Sequence, residues 1–219
     1  MGSPIRLPFL RRGNDSPRTE PAFDPQSWSG ALVVMCSVGA LLWIVQFINA
    51  SDHYGLDRFG VKPRDVDGLW GVVTMPFLHE SYGHVFSNTV PLILIGWVLL
   101  LSGLRMWAIV TAIVVIGGGA LTWLAGPENS VIVGASGMIF GWLGYLLARA
   151  YFSRKLKWIV VAVLVLLFFG TLLFGLFPTL NSNVSWQAHV CGFAAGVGAG
   201  ALLHPRGGGT RLPGRSAVS

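Results

Sequence analysis

The sequence predicts an all-α polytopic membrane protein, a bundle of six transmembrane helices with both termini in the cytoplasm. Of its 219 residues, 53% are hydrophobic and 11% are charged, whereas a soluble domain carries about 25% charged residues. Six apolar stretches approach the roughly twenty residues that a helix needs to cross a bilayer. The basic residues are distributed unevenly among the connections, which indicates an orientation.

The apolar stretches define a membrane domain over residues 28–204. The long connection 50–83 is partly apolar around Trp70, so we expect an interfacial structure rather than a plain loop. Pro and Gly clusters predict flexible cytoplasmic tails at 1–27 and 205–219, and the first tail does not resemble a cleavable signal peptide. The spans are predicted at 29–49, 84–101, 106–124, 136–152, 158–177 and 186–203.

The placement of Lys and Arg gives the orientation. With the N-terminus in the cytoplasm, 12 of the 15 basic residues fall in cytoplasmic segments, and the remaining three are Arg58, Lys62 and Arg64. This excess follows the positive-inside rule. The net charge of +6 is spread over separate cytoplasmic segments, so it does not indicate a nucleic-acid partner.

Polar residues recur at one predicted depth, just under the outer face. The second, fourth and sixth spans run inward, and their first turns carry His84 and Asn88, Ser136, and His189 respectively. A hydroxyl and an imidazole are costly inside hydrocarbon, so each needs a partner or a function.

Ser136 and His189 are candidates for a nucleophile and its base. A serine hydroxyl needs a base within hydrogen-bonding reach, and histidine is the usual one. His204 lies about four turns further along the sixth helix and is too far away. Rows of small residues, Gly137 with Gly141 and Gly192 with Gly196 and Gly200, let two helix backbones approach in lipid. These glycines equally suit packing alone.

An acyl-transfer site also needs hydrogen-bond donors for an oxyanion. His84 and Asn88 are four residues apart and lie on one helix face. The Ser136 N–H, in the first turn of its helix, is a third candidate donor. No carboxylate lies at this depth on the three helices, which favours a dyad over a triad. Phe140, one turn below Ser136, can pack against the imidazole or serve as an ordinary core or lipid-facing aromatic.

At these residues the chain resembles the rhomboid intramembrane serine proteases of the six-helix prokaryotic type. The resemblance rests on Gly134-Ala135-Ser136-Gly137 (GxSG), on Ala188-His189 with Gly192 and Gly196 (AHxxGxxxG), and on His84 with Asn88 (HxxxN). It covers about residues 30–203. Two departures are the missing Trp-Arg pair between Ala50 and Gly83 and Phe140, where many members have Tyr.

The resemblance implies a multi-pass protein of a bacterial cytoplasmic membrane that needs no cofactor or metal. Ser136 would be the nucleophile and His189 the base, with His84 and Asn88 at the oxyanion and Gly134, Gly137 and Phe140 in support. Substrates would be single-span membrane proteins in the lipid bilayer, cut in or near the outer part of their transmembrane segment. A gap between the second and fifth helices is the family's expected route for substrate.

Other interpretations of these residues are less well supported. His79-Glu80 followed by His84 is one residue too long for the zinc motif His-Glu-x-x-His, so His79 is expected to be a loop residue near the site, in contact with substrate. Cys36 and Cys191 lie in apolar stretches and are expected to be small buried hydrophobes without a disulfide. A protease-dead relative that binds membrane proteins would lack Ser or His, and a transporter would carry ionisable groups through the midplane.

Overall fold

The computed structural model describes residues 24–178 and 185–204. Regular structure in this part of the chain is helical, apart from one isolated antiparallel bridge between Val61 and Ile132. The long helices are α1 Trp28–Ser51, α2 Tyr82–Leu100, α3 Leu104–Ala125, α4 Ser136–Ser153, α5 Leu156–Phe169 and α6 Trp186–Leu203. A π-helical turn, Val114–Gly118, lies inside α3, and a 3-10 helix, Gly170–Leu176, continues α5.

The helix bounds differ from the prediction by a few residues, with two informative differences. The end of the predicted fifth span is 3-10 rather than α-helical. Residues 24–27, placed by the prediction in the N-terminal tail, form a turn in which Ser27 caps α1 by accepting a 3.0 Å hydrogen bond from the Gly30 N–H. The rest of both predicted tails, and residues 179–184, lie outside the described residues.

Four of these helices, α1, α2, α3 and α5 together with its 3-10 continuation to Leu176, are long and apolar enough to cross a membrane. The helices α4 and α6 fall outside that group because they carry glycines and the polar candidate residues. Most of α4 is buried, and α4 and α6 form the most extensive helix–helix contact in the described chain. A helix that faces protein on all sides does not need the lipid-compatible surface of an outer helix.

Glycine brings the backbones of α4 and α6 into direct contact. A Cβ on Gly192 would overlap the Gly137 carbonyl, and a Cβ on Gly196 would overlap the Gly141 carbonyl. Gly137 itself lies against the Ala188 carbonyl, 3.2 Å from the position that a Cβ would take. The contact therefore positions the first turn of α4 beside the first turn of α6.

The connection between α1 and α2 is structured rather than a plain loop. It contains the 3-10 helices Gly55–Phe59, Val66–Trp70 and Met75–Phe77 and the helical turn Gly71–Thr74. Trp70 is 78% exposed. Two hydrogen bonds between Val61 and Ile132, and an Arg64–Glu128 ion pair at 3.1 Å, tie the connection to the segment before α4.

Both cysteines are free, but their surroundings differ. Cys191 is buried, whereas Cys36 is exposed, so the expectation of a buried hydrophobe is wrong for Cys36. The reason is that α1 packs mainly on α2 and leaves its other face uncovered.

Candidate active site

Ser136 and His189 meet at the N-terminal turns of α4 and α6. The Ser136 Oγ lies 2.9 Å from the His189 Nε2. The other ring nitrogen, Nδ1, lies 2.9 Å from the Gly175 carbonyl oxygen. A carbonyl can only accept, so Nδ1 carries the proton of the neutral ring. Nε2 is then the acceptor, and the serine hydroxyl donates to it.

Phe140 stacks on the face of the His189 ring. The ring centroids are 4.2 Å apart, and the planes differ by 14°. Phe140 and His189 are both buried. The imidazole is therefore held by the serine at one nitrogen, a carbonyl at the other, and an aromatic face.

Gly175 is the site residue that the sequence did not reveal. It lies in the 3-10 continuation of α5. A Cβ here would stand 3.0 Å from the Phe140 Cζ and 3.1 Å from the His189 Nδ1. The contact of Gly175 with His189 depends on how α5 ends, which the sequence does not show. The one available signal was a glycine near the end of the fifth apolar stretch.

The turn before Ser136 needs glycine. Gly134 has φ +124°, and its N–H donates to the Met75 carbonyl at 3.0 Å. A Cβ on Gly134 would stand 2.9 Å from both Cε1 and Nε2 of His84, so the His84 ring lies against this glycine. Ser136 is the first residue of α4, and its N–H has no carbonyl one turn earlier within the helix.

His79 supports the same turn from behind. Its Nε2 accepts a 3.3 Å hydrogen bond from the Ala135 N–H, and its ring meets the His84 ring edge-on at 5.1 Å. Burial, and to a lesser extent the nearby His84, lower the pKa of His79 to about 3, against the opposing effect of the Phe77 carbonyl. His79 is near the site as expected, but its side chain is fully buried and exposes no surface that a substrate could contact.

Asn88 lies beneath His84 rather than in the cavity. Its Nδ2 donates to the His84 carbonyl at 2.9 Å, and the residue is buried. The structure thus brings Ser136, His189, His84, Gly134 and Phe140 together. One of the two Asn88 amide hydrogens is used in the hydrogen bond to the His84 carbonyl within α2.

A cavity of about 300 Å³ opens beside the serine. Ser136, His84 and Glu80 line it, together with the segments 130–134 and 185–188. The Glu80 Oε1 lies 3.9 Å from the His84 Nδ1. In the described part of the chain, no three His, Cys, Asp or Glu side chains form a metal-binding group. His79 precedes α2, and its Nε2 is already bonded to Ala135.

Comparison with known proteins points to one family. A family model described as "Rhomboid domain" matches residues 66–206. The chain is 40% identical over 195 residues to "Uncharacterized protein Rv1337" of Mycobacterium tuberculosis, covering 86% of this chain and 81% of that protein. It is 38% identical over 183 residues to "Uncharacterized protein ML1171" of Mycobacterium leprae, covering 80% and 72%.

A further relative is "Putative rhomboid protease YdcA" of Bacillus subtilis, 30% identical over 130 residues that cover 58% of this chain and 63% of that protein. Together with the apolar helices, these matches indicate an integral membrane protein.

Proposed function

This chain belongs to the rhomboid family, and we propose on that premise that it is an intramembrane serine endopeptidase with a Ser136–His189 dyad. The observation that carries the proposal is the 2.9 Å contact between the Ser136 Oγ and the His189 Nε2. The tautomer that Gly175 selects leaves Nε2 free to accept the hydroxyl proton.

In the proposed reaction, the Ser136 Oγ attacks the carbonyl carbon of the scissile peptide while His189 Nε2 takes the hydroxyl proton. The imidazolium then carries a proton on each nitrogen, and Nδ1–H continues to donate to the Gly175 carbonyl. Collapse of the tetrahedral intermediate breaks the C–N bond, and His189 gives its proton to the leaving amine. Water, deprotonated by the same nitrogen, hydrolyses the acyl-enzyme.

The oxyanion of the intermediate needs donors that are in place before the reaction. Three groups support such a site. The Ser136 N–H is at the start of α4, the His84 ring lines the cavity against Gly134, and the Asn88 amide lies one turn below His84. We assign oxyanion stabilisation to the first two, and to Asn88 through the amide hydrogen that its bond to the His84 carbonyl does not use.

The cavity suits an extended peptide rather than a helix. Ile132 uses its own N–H and C=O in the bridge to Val61, so the backbone groups of Val131 and Val133 point to the opposite side. Val131 and Val133 also line the cavity. An unwound substrate segment can pair with this edge, which favours substrates with Gly, Pro or polar residues near the cut.

We further propose the topology that the charges predict. The domain 28–204 would cross a bacterial cytoplasmic membrane six times with both termini inside, so the dyad would lie near the outer face. Substrates would be single-span proteins cut in or near the outer part of their transmembrane segment.

Cleavage of a model single-span substrate in liposomes tests the proposal. The full chain should cut it, and Ser136→Ala and His189→Ala should each lower kcat by at least about a thousandfold. Ser37→Ala, an exposed hydroxyl of α1 bonded to the Val33 carbonyl, should cut normally. Equal cleavage by Ser136→Ala would overturn the mechanism, and binding without cleavage by the wild-type protein would support the protease-dead binder instead.

A further inference from the structure

A second cavity, of about 370 Å³, lies at the opposite end of the bundle from the dyad. Arg149 follows Ser136 by 13 residues in α4, which places it about 20 Å further along the helix. The cavity forms where α4 ends, α5 begins and α6 ends. We call it the basic cavity, and its polar and aromatic lining consists of Tyr145, Arg149, Ser153, Lys155, Trp158 and His204.

Arg149 is the half-buried centre of the basic cavity. Its guanidinium carbon stacks 3.7 Å above the Trp158 ring, and its Nη1 donates to the Tyr145 hydroxyl at 2.9 Å. A guanidinium carries five N–H donors, and this is its one hydrogen bond within residues 24–178 and 185–204. The ion pairs of that part of the chain involve Arg64 and His84, not Arg149.

Within residues 24–178 and 185–204, the cations around the basic cavity form no ion pair with a carboxylate. The Lys157 Nζ lies 5.1 Å from the same Trp158 ring, Arg154 follows α4, and Lys155 lines the basic cavity. No Asp or Glu occurs anywhere after Glu128. The helices α4, α5 and α6 therefore offer these cations no carboxylate side chain, and the cations repel one another.

We propose that the basic cavity binds the headgroup of an anionic phospholipid. The oxygens of a phosphodiester can accept hydrogen bonds from the Arg149 guanidinium, the Lys155 ammonium and the hydroxyls of Tyr145 and Ser153. Leu156 and Leu202, which are 75% and 73% exposed, are the sequence neighbours of the lining residues Lys155 and Leu203 and suit acyl chains. Zwitterionic lipids bring an ammonium that this cluster repels, so the net charge of the headgroup decides binding. The inference does not depend on proteolysis.

Lipid titration followed by native mass spectrometry tests this on the full chain in neutral detergent. Phosphatidylglycerol should bind the wild-type protein at least about tenfold more tightly than phosphatidylcholine, because a charge-assisted hydrogen bond contributes roughly that factor. Arg149→Ala should lose this preference, and Arg149→Lys should retain part of it. Arg105→Ala is the matched control, since it removes an exposed arginine at the same end that does not line the cavity.

Each other outcome has a defined meaning. Equal affinity of the wild-type protein for the two lipids would overturn the proposal. So would an equal loss of the phosphatidylglycerol preference in Arg149→Ala and Arg105→Ala. Displacement of phosphatidylglycerol by millimolar inorganic phosphate would assign the cavity to free phosphate and overturn the lipid proposal. Thermal unfolding of each variant shows whether it is folded, and a misfolded Arg149→Ala leaves Arg149→Lys to decide.

Discussion

In the proposed mechanism, the orientation of one imidazole decides whether Ser136 is reactive. His189 is fixed by the Ser136 hydroxyl, the Gly175 carbonyl and the Phe140 ring. In a Ser-His-Asp triad, a carboxylate holds the histidine in its tautomer. Here a neutral backbone carbonyl does so, and it comes from the 3-10 end of α5.

A methyl group at Gly175 tests this arrangement. Gly175→Ala places a Cβ about 3 Å from both Phe140 and His189, so the ring must move and activity should fall by between about tenfold and a hundredfold. Gly170→Ala is the matched control in the same 3-10 helix, where a Cβ meets nothing within 4 Å. Cleavage rate and thermal unfolding should be measured together; equal activity of the two variants would contradict the positioning role.

At the scale of secondary-structure elements, the site depends on the contact between α4 and α6. The motif glycines predicted close packing, and the structure shows why it needs them, since Gly137, Gly192 and Gly196 each oppose a carbonyl of the other helix. This backbone contact sets the register that brings the first turn of one helix to the first turn of the other.

Alanine substitutions on α6 separate close packing from helix propensity. Gly196→Ala would force a Cβ into the Gly141 carbonyl, so we expect a loss of about 1–3 kcal/mol in stability together with reduced cleavage. Gly198→Ala, on the same helix, meets nothing within 4 Å and should be neutral. The thermal midpoint and the cleavage rate report both effects, and matching values for the two variants would argue against the backbone contact.

The sequence predicted the long helices because apolar stretches and Gly rows are local patterns. The same holds for Ser136 and His189, whose motifs name them. Gly175 was not predicted, because it acts through a contact between distant segments and has no motif of its own. For His79 the sequence predicted the position near the site but not the buried hydrogen bond to the Ala135 N–H. The sequence predicts residues 24–27 as part of the tail, because a helix-capping turn and a flexible tail are both polar and cannot be told apart by composition.

At the scale of the whole molecule, a buried polar network joins the α1–α2 connection to the site. Asn49 Nδ2 donates to the Asp57 carboxylate at 2.8 Å and to the His79 carbonyl at 3.3 Å, and His79 receives the Ala135 N–H. Burial raises the pKa of Asp57, although the Asn49 bond opposes this. The network makes stability depend on pH.

His79 should make the fold sensitive to acid. Its pKa is about 3 in the folded protein and 6.5 for an unperturbed histidine, so between these values the unfolded chain binds more protons and the free energy of unfolding falls as pH falls. The loss should reach roughly 2 kcal/mol by pH 5 and become negligible above about pH 7.5. Protonation of Asp57 acts in the opposite direction.

Comparison with His79→Gln isolates this contribution. Glutamine does not titrate, and its side-chain oxygen can accept from the Ala135 N–H. Unfolding midpoints from pH 7.5 to 4 should fall more steeply for the wild-type protein than for the variant. Parallel curves would show that His79 is not the acid-sensitive group.

The central claim, a serine activated by His189, is tested most directly by a fluorophosphonate probe. Mass spectrometry of the labelled wild-type protein should locate one adduct, on Ser136. Ser136→Ala should not react, and His189→Ala should react at least about a hundredfold more slowly because it lacks the general base. Labelling of Ser136→Ala at the wild-type rate, or undiminished labelling of His189→Ala, would contradict the claim.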